Sequence, residues 1–383
     1  MRYIIKGKEV YTDNEIINNG CVIIKEGLIE DISTKGYEDS MIIDMEKYKI
    51  LPGLIDSHIH GANGYDTMDC TYKSLNEISK YLAKNGVTSF LPTTVTSSLD
   101  KIKLATENIA YSKEKGTEGA GIIGSYIEGP YISQKYKGAH PKEFIRDISI
   151  EDIKLLLKSS NDTIKVVALA PEKKGALELI DLLTSKGIKV SLGHSNGTFD
   201  ITEKAISKGA TIGVHIFNGM RGLHHREPGI LGSILTNENI YGELISDTIH
   251  VHPKAMDILI KSKGADKVYL ISDCMMAGGL DDGEYNLGEL KVTVKDSMPR
   301  LSNGSLAGST LKLIDGVKNM VEILGINPID AVNMGSLIPA RALGIEDKYG
   351  SITKNKRADI TIIDDNWNVV MTIVDGKVVY KNT

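Results

Sequence analysis

The segments "SKGIKVSLGHS" (185–195) and "SKGATIGVHIFN" (207–218) share one pattern. In each, the end of a helical stretch is followed by a glycine and then by a short apolar run that leads to a histidine. A glycine just after a helix commonly reverses the chain in the left-handed conformation. The pattern recurs at "KNGVTSF" (84–90) and "SKGADKVYLISD" (262–273). The sequence therefore predicts helix-to-strand turns at Gly86, Gly187, Gly209 and Gly264.

Eight buried runs of this kind alternate with amphipathic stretches along the chain. Such alternation is typical of a parallel (β/α)8 barrel of the TIM type. One helix can be delimited, with Ser74 as the predicted N-cap and Leu75, Ile78 and Leu82 on its apolar face. The eight strands are predicted to end near Asp56 to His58, Val95, Glu128, Pro171, His194, His215, Asp247 and Asp273.

The two ends of the chain have a different pattern. "GCVIIKEGLIEDI" (20–32) and "RADITIIDDNWNVVMTIVDGKVVY" (357–380) alternate with the period of two that half-exposed strands show, and the second contains an Asp-Gly hairpin signal. We expect residues 1–50 and 346–383 to build one small β-sandwich domain from both termini. Residues 51–345 would form the barrel.

Composition narrows the class of protein. The chain has 383 residues, a formal net charge of −5 and a pI near 6.0, so nucleic acid and anionic membranes are unlikely partners and a small metabolite is favoured. The three cysteines form no CxxC pair, which argues against a disulfide framework or a thiolate zinc site. The start of the chain has no apolar signal segment, so we expect a cytoplasmic protein.

Polar side chains follow the predicted strands, where a barrel of this type builds its active site. In "PGLIDSHIHG" (52–61), His58 and His60 point to the same side of a strand. Imidazole and carboxylate ligands together suit zinc, iron or another first-row divalent ion. Any one histidine could instead be a hydrogen-bonded core residue, but six such residues on five strand ends favour a metal site, namely His58, His60, Glu128, His194, His215 and Asp273.

These residues lie within an ordered series of motifs, namely "PGLIDSHIHG", "IEGPYIS", "KGAH", "LGHS", "HIFNGM", "HHREPG", "SDTIHV", "LISDCMMAGG" and "LAGS". On these motifs the chain resembles the amidohydrolase superfamily, and within it the N-acetylglucosamine-6-phosphate deacetylases, over nearly its whole length. The resemblance implies that Glu128, His194 and His215 bind the principal divalent ion. His58 and His60 would support a second ion, sharing Glu128 and Asp273, so that one or two ions bind per subunit.

Hydrolysis of an acetamide requires two roles besides metal binding, namely proton transfer and polarisation of the carbonyl. A bound divalent ion lowers the pKa of water toward neutrality. Asp273 is the predicted proton carrier, first as base toward water and then as acid toward the departing amine. His250 is predicted to polarise the acetyl carbonyl. Two alternatives stay open here: Asp273 could be a helix N-cap, and His252 is an equally available imidazole.

Recognition of a phosphorylated amino sugar is expected in "NGMRGLHHREPG" (218–229), because Arg226 and His225 offer cationic or planar donors to phosphate. The alternative for this segment, and for Arg221 in particular, is a solvated basic loop. The resemblance implies that Arg226 reaches the site of a neighbouring subunit, and therefore a homodimer. It assigns further substrate contacts to Ala139, His140, Asn218, Gly219, Asp247, His250, Leu306, Ala307 and Gly308.

Other functions fit the sequence less well. A cyclic-amide hydrolase needs a bridging lysine after the fourth strand, but "IKVVALAPE" (164–172) has Lys165 at the wrong end. A nucleobase deaminase would be expected to have a catalytic glutamate after the histidine of the fifth strand, and "GHSNGTFD" (193–200) contains none. A binding protein without catalysis would be expected to lose ligands, whereas every ligand position is filled. Deacetylation of the galactosamine epimer stays open, because the contact that selects one hydroxyl is not identified by the sequence.

Overall fold

The computed structural model describes residues 2–34 and 41–382. Eight parallel strands, each hydrogen-bonded to the next, form the main sheet. The last and first strands meet at the mouth, where the Asp273 amide donates to the His58 carbonyl (2.9 Å) and the His60 amide donates to the Cys274 carbonyl (2.9 Å). We number these barrel strands one to eight: Leu54–Ile59, Val87–Thr94, Ser125–Glu128, Ile164–Leu169, Lys189–Leu192, Ala210–Gly213, Tyr241–Ile245 and Val268–Ile271.

Helices follow the strands and cover the outside of the barrel. Gly86, Gly187, Gly209 and Gly264 all have positive φ, as the recurring pattern predicts. After Gly264 the chain makes a short 3-10 turn, Ala265–Lys267, before the eighth strand begins. The helices are Tyr72–Lys84, Leu99–Lys115, Ile150–Ser159, Ala176–Ser185, Phe199–Ser207, Gly229–Thr236, Pro253–Lys263, Leu313–Glu322, Pro328–Gly335 and Leu337–Leu343. The chain is therefore the (β/α)8 barrel that the sequence predicts.

Two apolar layers hold the barrel together. Side chains that point outward from the strands pack against the apolar faces of the helices. In the first helix this face contains Leu75, Ile78 and Leu82. That helix begins at Tyr72 with Thr71 as its N-cap, so the prediction of Ser74 as the cap was wrong; the Thr71 hydroxyl accepts from the Ser74 amide instead. Inward-pointing side chains form a second cluster inside the barrel. This inner cluster forms the floor beneath the mouth.

Strands from both termini pair in one eight-stranded sheet, which confirms a small β domain built from both ends of the chain. Met41–Pro52 lies at its centre, parallel to Arg2–Tyr11 and antiparallel to Ile360–Ile363. The remaining strands are Ile16–Asn18, Cys21–Lys25, Leu28–Ser33, Val369–Val374 and Lys377–Lys381, and one apolar core joins residues from both ends. The division at residues 50 and 346 stays a prediction. Residues 1, 35–40 and 383, which it assigns to this domain, lie outside the described residues.

One element was not anticipated. A three-stranded antiparallel sheet, Gly283–Leu287, Leu290–Lys295 and Met298–Arg300, lies between the eighth strand and its helix. The alternation in "EYNLGELKVTV" (284–294) is a strand signal, and its buried residues pack against Ala139 and Met275 near the mouth. Among the described residues, no helix combines the length and the apolar character that crossing a bilayer requires.

Candidate active site

A cavity of about 280 Å³ opens at the carboxyl ends of the barrel strands. Its wall contains most of the residues that the sequence analysis selects for the site. His58 lies beneath this wall and is fully buried. The selected residues that line the cavity are His60, Glu128, Ala139, His140, His194, His215, Asn218, Gly219, His250, Asp273, Leu306 and Gly308.

Main-chain carbonyls orient three of the histidines. His60 Nδ1 lies 3.2 Å from the Thr93 carbonyl, and His194 Nδ1 lies 2.9 Å from the Tyr136 carbonyl. His215 Nδ1 lies 3.2 Å from the Asn218 carbonyl. A carbonyl only accepts, so Nδ1 carries the proton in each ring and Nε2 is left to face the cavity. This is the state in which an imidazole can bind a metal ion.

Glu128, at the end of the third strand, lies at the centre of these Nε2 atoms. Its Oε1 is 3.0 Å from His194 Nε2 and 3.2 Å from His215 Nε2, and those two nitrogens are 3.1 Å apart. Ligands about 2.1 Å from one ion, in a tetrahedral arrangement, lie about 3.4 Å from each other. The triangle of Glu128, His194 and His215 therefore has nearly the size that a zinc-like ion needs, with the fourth direction toward the cavity.

A second group adjoins the first and consists of His58, His60 and Asp273. His60 Nε2 is 3.2 Å from Asp273 Oδ1 and 3.2 Å from Glu128 Oε2, so the two groups share an edge at Glu128. His58 Nε2 is buried without a hydrogen-bond partner among the described residues, 3.6 Å from Glu128 Oε1 and 3.8 Å from Asp273 Oδ1. A buried nitrogen without a partner is costly unless an ion occupies the space it faces. The donor set thus fits a second divalent ion.

The backbone is strained where it presents these ligands. His194 and Asp273 each lie two residues beyond the end of a strand, with φ of 44° and 48°. Non-glycine residues rarely adopt this conformation, and it persists where the surrounding structure enforces it, commonly at functional sites. At Gly219, a Cβ atom would lie only 2.9 Å from His194 Nδ1. Glycine at 219 therefore permits the close approach that fixes the His194 ring.

The charges in this cluster depend on one another. Burial raises the pKa of Glu128, but His58, His140 and the other nearby imidazoles hold it well below its ordinary value. Burial likewise raises the pKa of Asp273, yet its hydrogen bond with His60 and the neighbouring rings lower it to about 2. The His60 pKa is depressed by burial but raised to about 10 by Asp273 and Glu128. Both carboxylates are consequently ionised at neutral pH, as ligands of a cation must be.

The ring of His140 carries its proton on the opposite nitrogen from the rings of His60, His194 and His215. The Thr96 main-chain amide donates to His140 Nδ1 at 3.3 Å, so the proton of a neutral ring lies on Nε2. Burial lowers the pKa of His140 to about 4, which keeps the ring neutral. His140 Nε2 is 3.4 Å from Glu128 Oε2. His140 is thus a hydrogen-bond donor at the cavity rather than a metal ligand, and the substrate contact predicted for it stays a prediction.

His250 and His252, the two imidazoles considered for polarising the carbonyl, lie in different places, and the role of His250 stays a prediction. His250 lines the cavity, whereas His252 is exposed and caps the helix Pro253–Lys263 through its Nδ1. His250 Nδ1 is 2.6 Å from Asp247 Oδ2, and Asp247 Oδ1 accepts from the His250 amide. Asp247 is predicted to contact substrate, but its carboxylate is engaged in orienting His250. The alternative of Asp273 as a helix N-cap is also excluded, since the next helix begins at Leu313 after Lys312.

His225 and Arg226, the residues of the loop 218–229 that are predicted to bind phosphate, do not line this cavity, although Asn218 and Gly219 at the start of the loop do. His225 and Arg226 are exposed, and their side chains contact each other, with Arg226 Nη1 2.7 Å from His225 Nε2. Arg221 is half-buried, donating from Nε to the Asn196 amide oxygen, so it is not a solvated loop residue. Within one chain, the structure does not bring Arg226 to the metal ligands.

The loop 305–308 forms one side of the cavity through Ser305, Leu306 and Gly308. Ala307 is buried and its amide donates to the Pro299 carbonyl, so that amide is not available to a substrate, and the substrate contact predicted for Ala307 stays a prediction. Four lining residues were missed: Val95, Gly138, Leu287 and Ser305. Three are neighbours of selected residues or strand ends and could have been included on that ground. Leu287 comes from the unanticipated sheet.

The structure adds one residue that no motif indicated. Glu243 lies in the middle of the seventh strand and is fully buried. Its Oε2 is 3.1 Å from His58 Nδ1. Burial lowers the His58 pKa, but the charges of Glu243 and Glu128 outweigh burial and raise this pKa well above its ordinary value. A carboxylate within the otherwise apolar strand "YGELI" (241–245) is the signal that could have identified it.

Comparison with known proteins agrees with this geometry. Residues 50–379 match the model of the amidohydrolase family. The chain belongs to the amidohydrolase family. This confirms the resemblance seen in the motifs, and within that family the two ligand groups support a divalent metal ion at the barrel mouth.

Individual members of the amidohydrolase family match over nearly the whole chain. N-acetylglucosamine-6-phosphate deacetylase of Vibrio furnissii is 40% identical over 98% of this chain and 93% of its own length. N-acetylgalactosamine-6-phosphate deacetylase of Escherichia coli O157:H7 is 38% identical over 98% of this chain and 99% of its own. The crystal structure of N-acetylglucosamine-6-phosphate deacetylase from Pasteurella multocida matches with a TM-score of 0.94, 32% identity and full coverage of both chains. Both the barrel and the terminal β domain are thus shared with these enzymes.

Proposed function

We propose that this protein hydrolyses the acetamide of N-acetyl-D-glucosamine 6-phosphate to D-glucosamine 6-phosphate and acetate. The observation that carries the proposal is the buried cluster in which the imidazoles of His60, His194 and His215 converge with Glu128 and Asp273 at the base of one cavity. The relatives that match across both domains bear the name of this activity, which supports the choice of substrate.

The metal ligands and Asp273 have separate roles in the proposed reaction. A divalent ion held by Glu128, His194 and His215 would activate a water molecule and polarise the acetyl carbonyl. Asp273, ionised because its pKa is about 2, accepts a proton from the water as the new C–O bond forms. It then passes that proton to the nitrogen as the C–N bond breaks, because an amine leaves readily only when protonated. The products are the free amine and acetate.

His250 is proposed to stabilise the carbonyl oxygen as charge develops on it. Its Nδ1 is held by Asp247, so Nε2 is the ring atom available to the cavity. A donor fixed in advance at this position loses little free energy to reorganisation during the reaction. Asn218 and His140 line the adjoining wall and are proposed to hold the sugar.

Phosphate recognition is proposed to come from a second copy of the chain. Arg226 is exposed and lies outside the cavity of its own chain, close in sequence to the exposed side chain of Leu223. A homodimer in which Arg226 reaches the site of the partner would bury both residues and provide the bidentate donor that phosphate favours.

The identity and number of the metal ions are also proposals. Nitrogen and oxygen ligands without thiolate suit zinc or iron, and the shared edge at Glu128 leaves room for one ion or two. We propose a cytoplasmic location, in keeping with three cysteines that are all unpaired. Metal analysis of protein purified without added metal tests identity and number.

The galactosamine epimer is the second candidate substrate, because a relative of that name matches at 38% identity over 98% of this chain. The deciding experiment measures acetate release from four sugars: both N-acetylated epimers, each with and without the 6-phosphate. Our proposal predicts the highest kcat/KM for the phosphorylated glucosamine derivative. Equal turnover of the unphosphorylated sugar would contradict the role of Arg226, and preference for the other epimer would replace the substrate while leaving the chemistry unchanged.

A further inference from the structure

We propose that Glu243 is a positioning residue for the metal site: its buried carboxylate holds the His58 ring so that Nε2 faces Asp273 and Glu128. The proposal rests on the proposed function only in requiring that divalent ions bind at the barrel mouth. Glu243 touches neither the cavity nor the predicted substrate contacts. Its effect would therefore pass entirely through the ligands.

The contacts of Glu243 are confined to the interior of the barrel. Oε2 is 3.1 Å from His58 Nδ1 and accepts from the main-chain amide of His215 at 3.2 Å. Oε1 accepts from the Tyr269 hydroxyl at 3.0 Å, and the register pairs Glu243 with Tyr269 across the seventh and eighth strands. One carboxylate oxygen thus contacts a ligand from each of the two groups.

Burial gives these contacts their significance. Glu243 and His58 are both fully buried, and an isolated carboxylate at such a position is strongly unfavourable. Within residues 2–34 and 41–382, His58 is the only cationic or potentially cationic side chain within 4 Å of this carboxylate. A carboxylate is retained here at a cost in stability that a neutral, apolar residue would avoid, which points to a role toward His58.

That role follows from the two nitrogens of the ring. A carboxylate can only accept, so His58 donates from Nδ1, and its buried Nε2, which has no hydrogen-bond partner among the described residues, is the ring atom left to bind an ion. The other three histidine ligands are fixed by main-chain carbonyls instead, at Thr93, Tyr136 and Asn218. A charged acceptor makes the ring a stronger ligand than a neutral carbonyl does. Glu243 therefore favours the ion at His58, His60 and Asp273 in particular.

The test is a titration of metal-free protein with zinc in the absence of substrate, with a competing chelator to resolve each dissociation constant. Glu243→Gln can still accept from His58 and His215 through its amide oxygen, but it lacks the charge. We expect the dissociation constant of one zinc equivalent to rise about 10-fold or more, within the range known for residues that orient metal ligands, and the other to change less than about twofold. Tyr126→Phe is the matched control, since it keeps the ring that packs 4.5 Å from His58 and leaves Glu243 intact.

A double substitution separates positioning from general loss of packing. In the His58→Ala background, Glu243→Gln should produce no further change in zinc affinity. Unchanged dissociation constants in Glu243→Gln, equal weakening of both equivalents, or a wild-type protein that binds a single zinc would each overturn the proposal.

Nitrogen NMR of the zinc-loaded wild type provides a test that needs no variant, with His58 protonated on Nδ1 as the expected result; a proton on Nε2 would refute it. Because no substrate is used, these results stand apart from any failure to release acetate.

Discussion

The ligand cluster and the loop 221–229 are both rich in histidine, yet they are built differently. In the cluster, each imidazole is buried and has its Nδ1 fixed by a main-chain carbonyl or by Glu243. In the loop, His224, His225 and Arg226 are exposed and contact one another. The cluster is organised in advance for chemistry within one chain. The loop has the groups for binding an anion, but His225 and Arg226 do not line the cavity that the cluster of their own chain faces.

The largest expected effect is on the cluster side of this comparison. Asp273→Asn removes the proton carrier and should lower kcat for phosphorylated and unphosphorylated substrates alike by about 10² to 10⁴-fold, the usual range for loss of a general acid or base. Metal analysis should still find an ion, because Glu128, His194 and His215 are intact. Turnover near the wild-type rate would remove Asp273 from its role. Loss of all metal would reassign it to structural ligation.

The loop side should respond differently. Arg226→Ala is expected to lower kcat/KM for the phosphorylated sugar by about 10- to 100-fold, because a hydrogen bond to a charged group contributes roughly 1.5–3 kcal/mol. The unphosphorylated sugar should be unaffected, and metal content should not change. Arg341→Ala, an exposed arginine on the helix Leu337–Leu343, is the matched control. An equal loss with both sugars would mean that the loop acts on the chemistry rather than on the phosphate.

The smallest expected effect is on the stability of the metal-free protein as pH changes. Folding raises the pKa of His60 to about 10 from an ordinary value of 6.5, so the folded state holds this proton more tightly than the unfolded chain. The stabilisation is fully present below pH 6.5 and is lost as pH rises through about 10. Denaturant unfolding of the metal-free protein should therefore show decreasing stability over this interval. His60→Asn should make that slope shallower without abolishing it, because the nearby carboxylates also raise the pKa values of His58 and His215. A wild-type profile that is flat would contradict the raised pKa of His60.

Much of this molecule could be predicted because the pattern is local. The glycines that end helices, the apolar runs and the polar residues after them specify the order of elements and bring His194, His215 and Asp273 to one mouth. The pairing of His58 and His60 could also be predicted from the sequence, since alternate residues of a strand point to the same side. These features depend on neighbours in sequence, and the structure agrees with them.

The features that escaped prediction depend on distant contacts. The role of Glu243 requires the pairing of the seventh strand with the eighth and the position of His58 across the barrel. The hydrogen bond between Asp247 and His250 was likewise not anticipated, nor was the one from the Ala307 amide to the Pro299 carbonyl, which joins a sheet that was not predicted. Contacts such as these follow from packing rather than from periodicity.

The junction that completes the barrel has a consequence for biosynthesis. The first and eighth strands are joined through the backbone of the ligands themselves, from the Asp273 amide to His58 and from the His60 and Gly61 amides to Cys274. A nascent chain that has emerged only through the seventh strand has four histidine ligands but neither Asp273 nor these bonds. The complete ligand set therefore forms late in translation, after most of the barrel sequence has left the ribosome. Truncated products would be expected to lack a finished metal site.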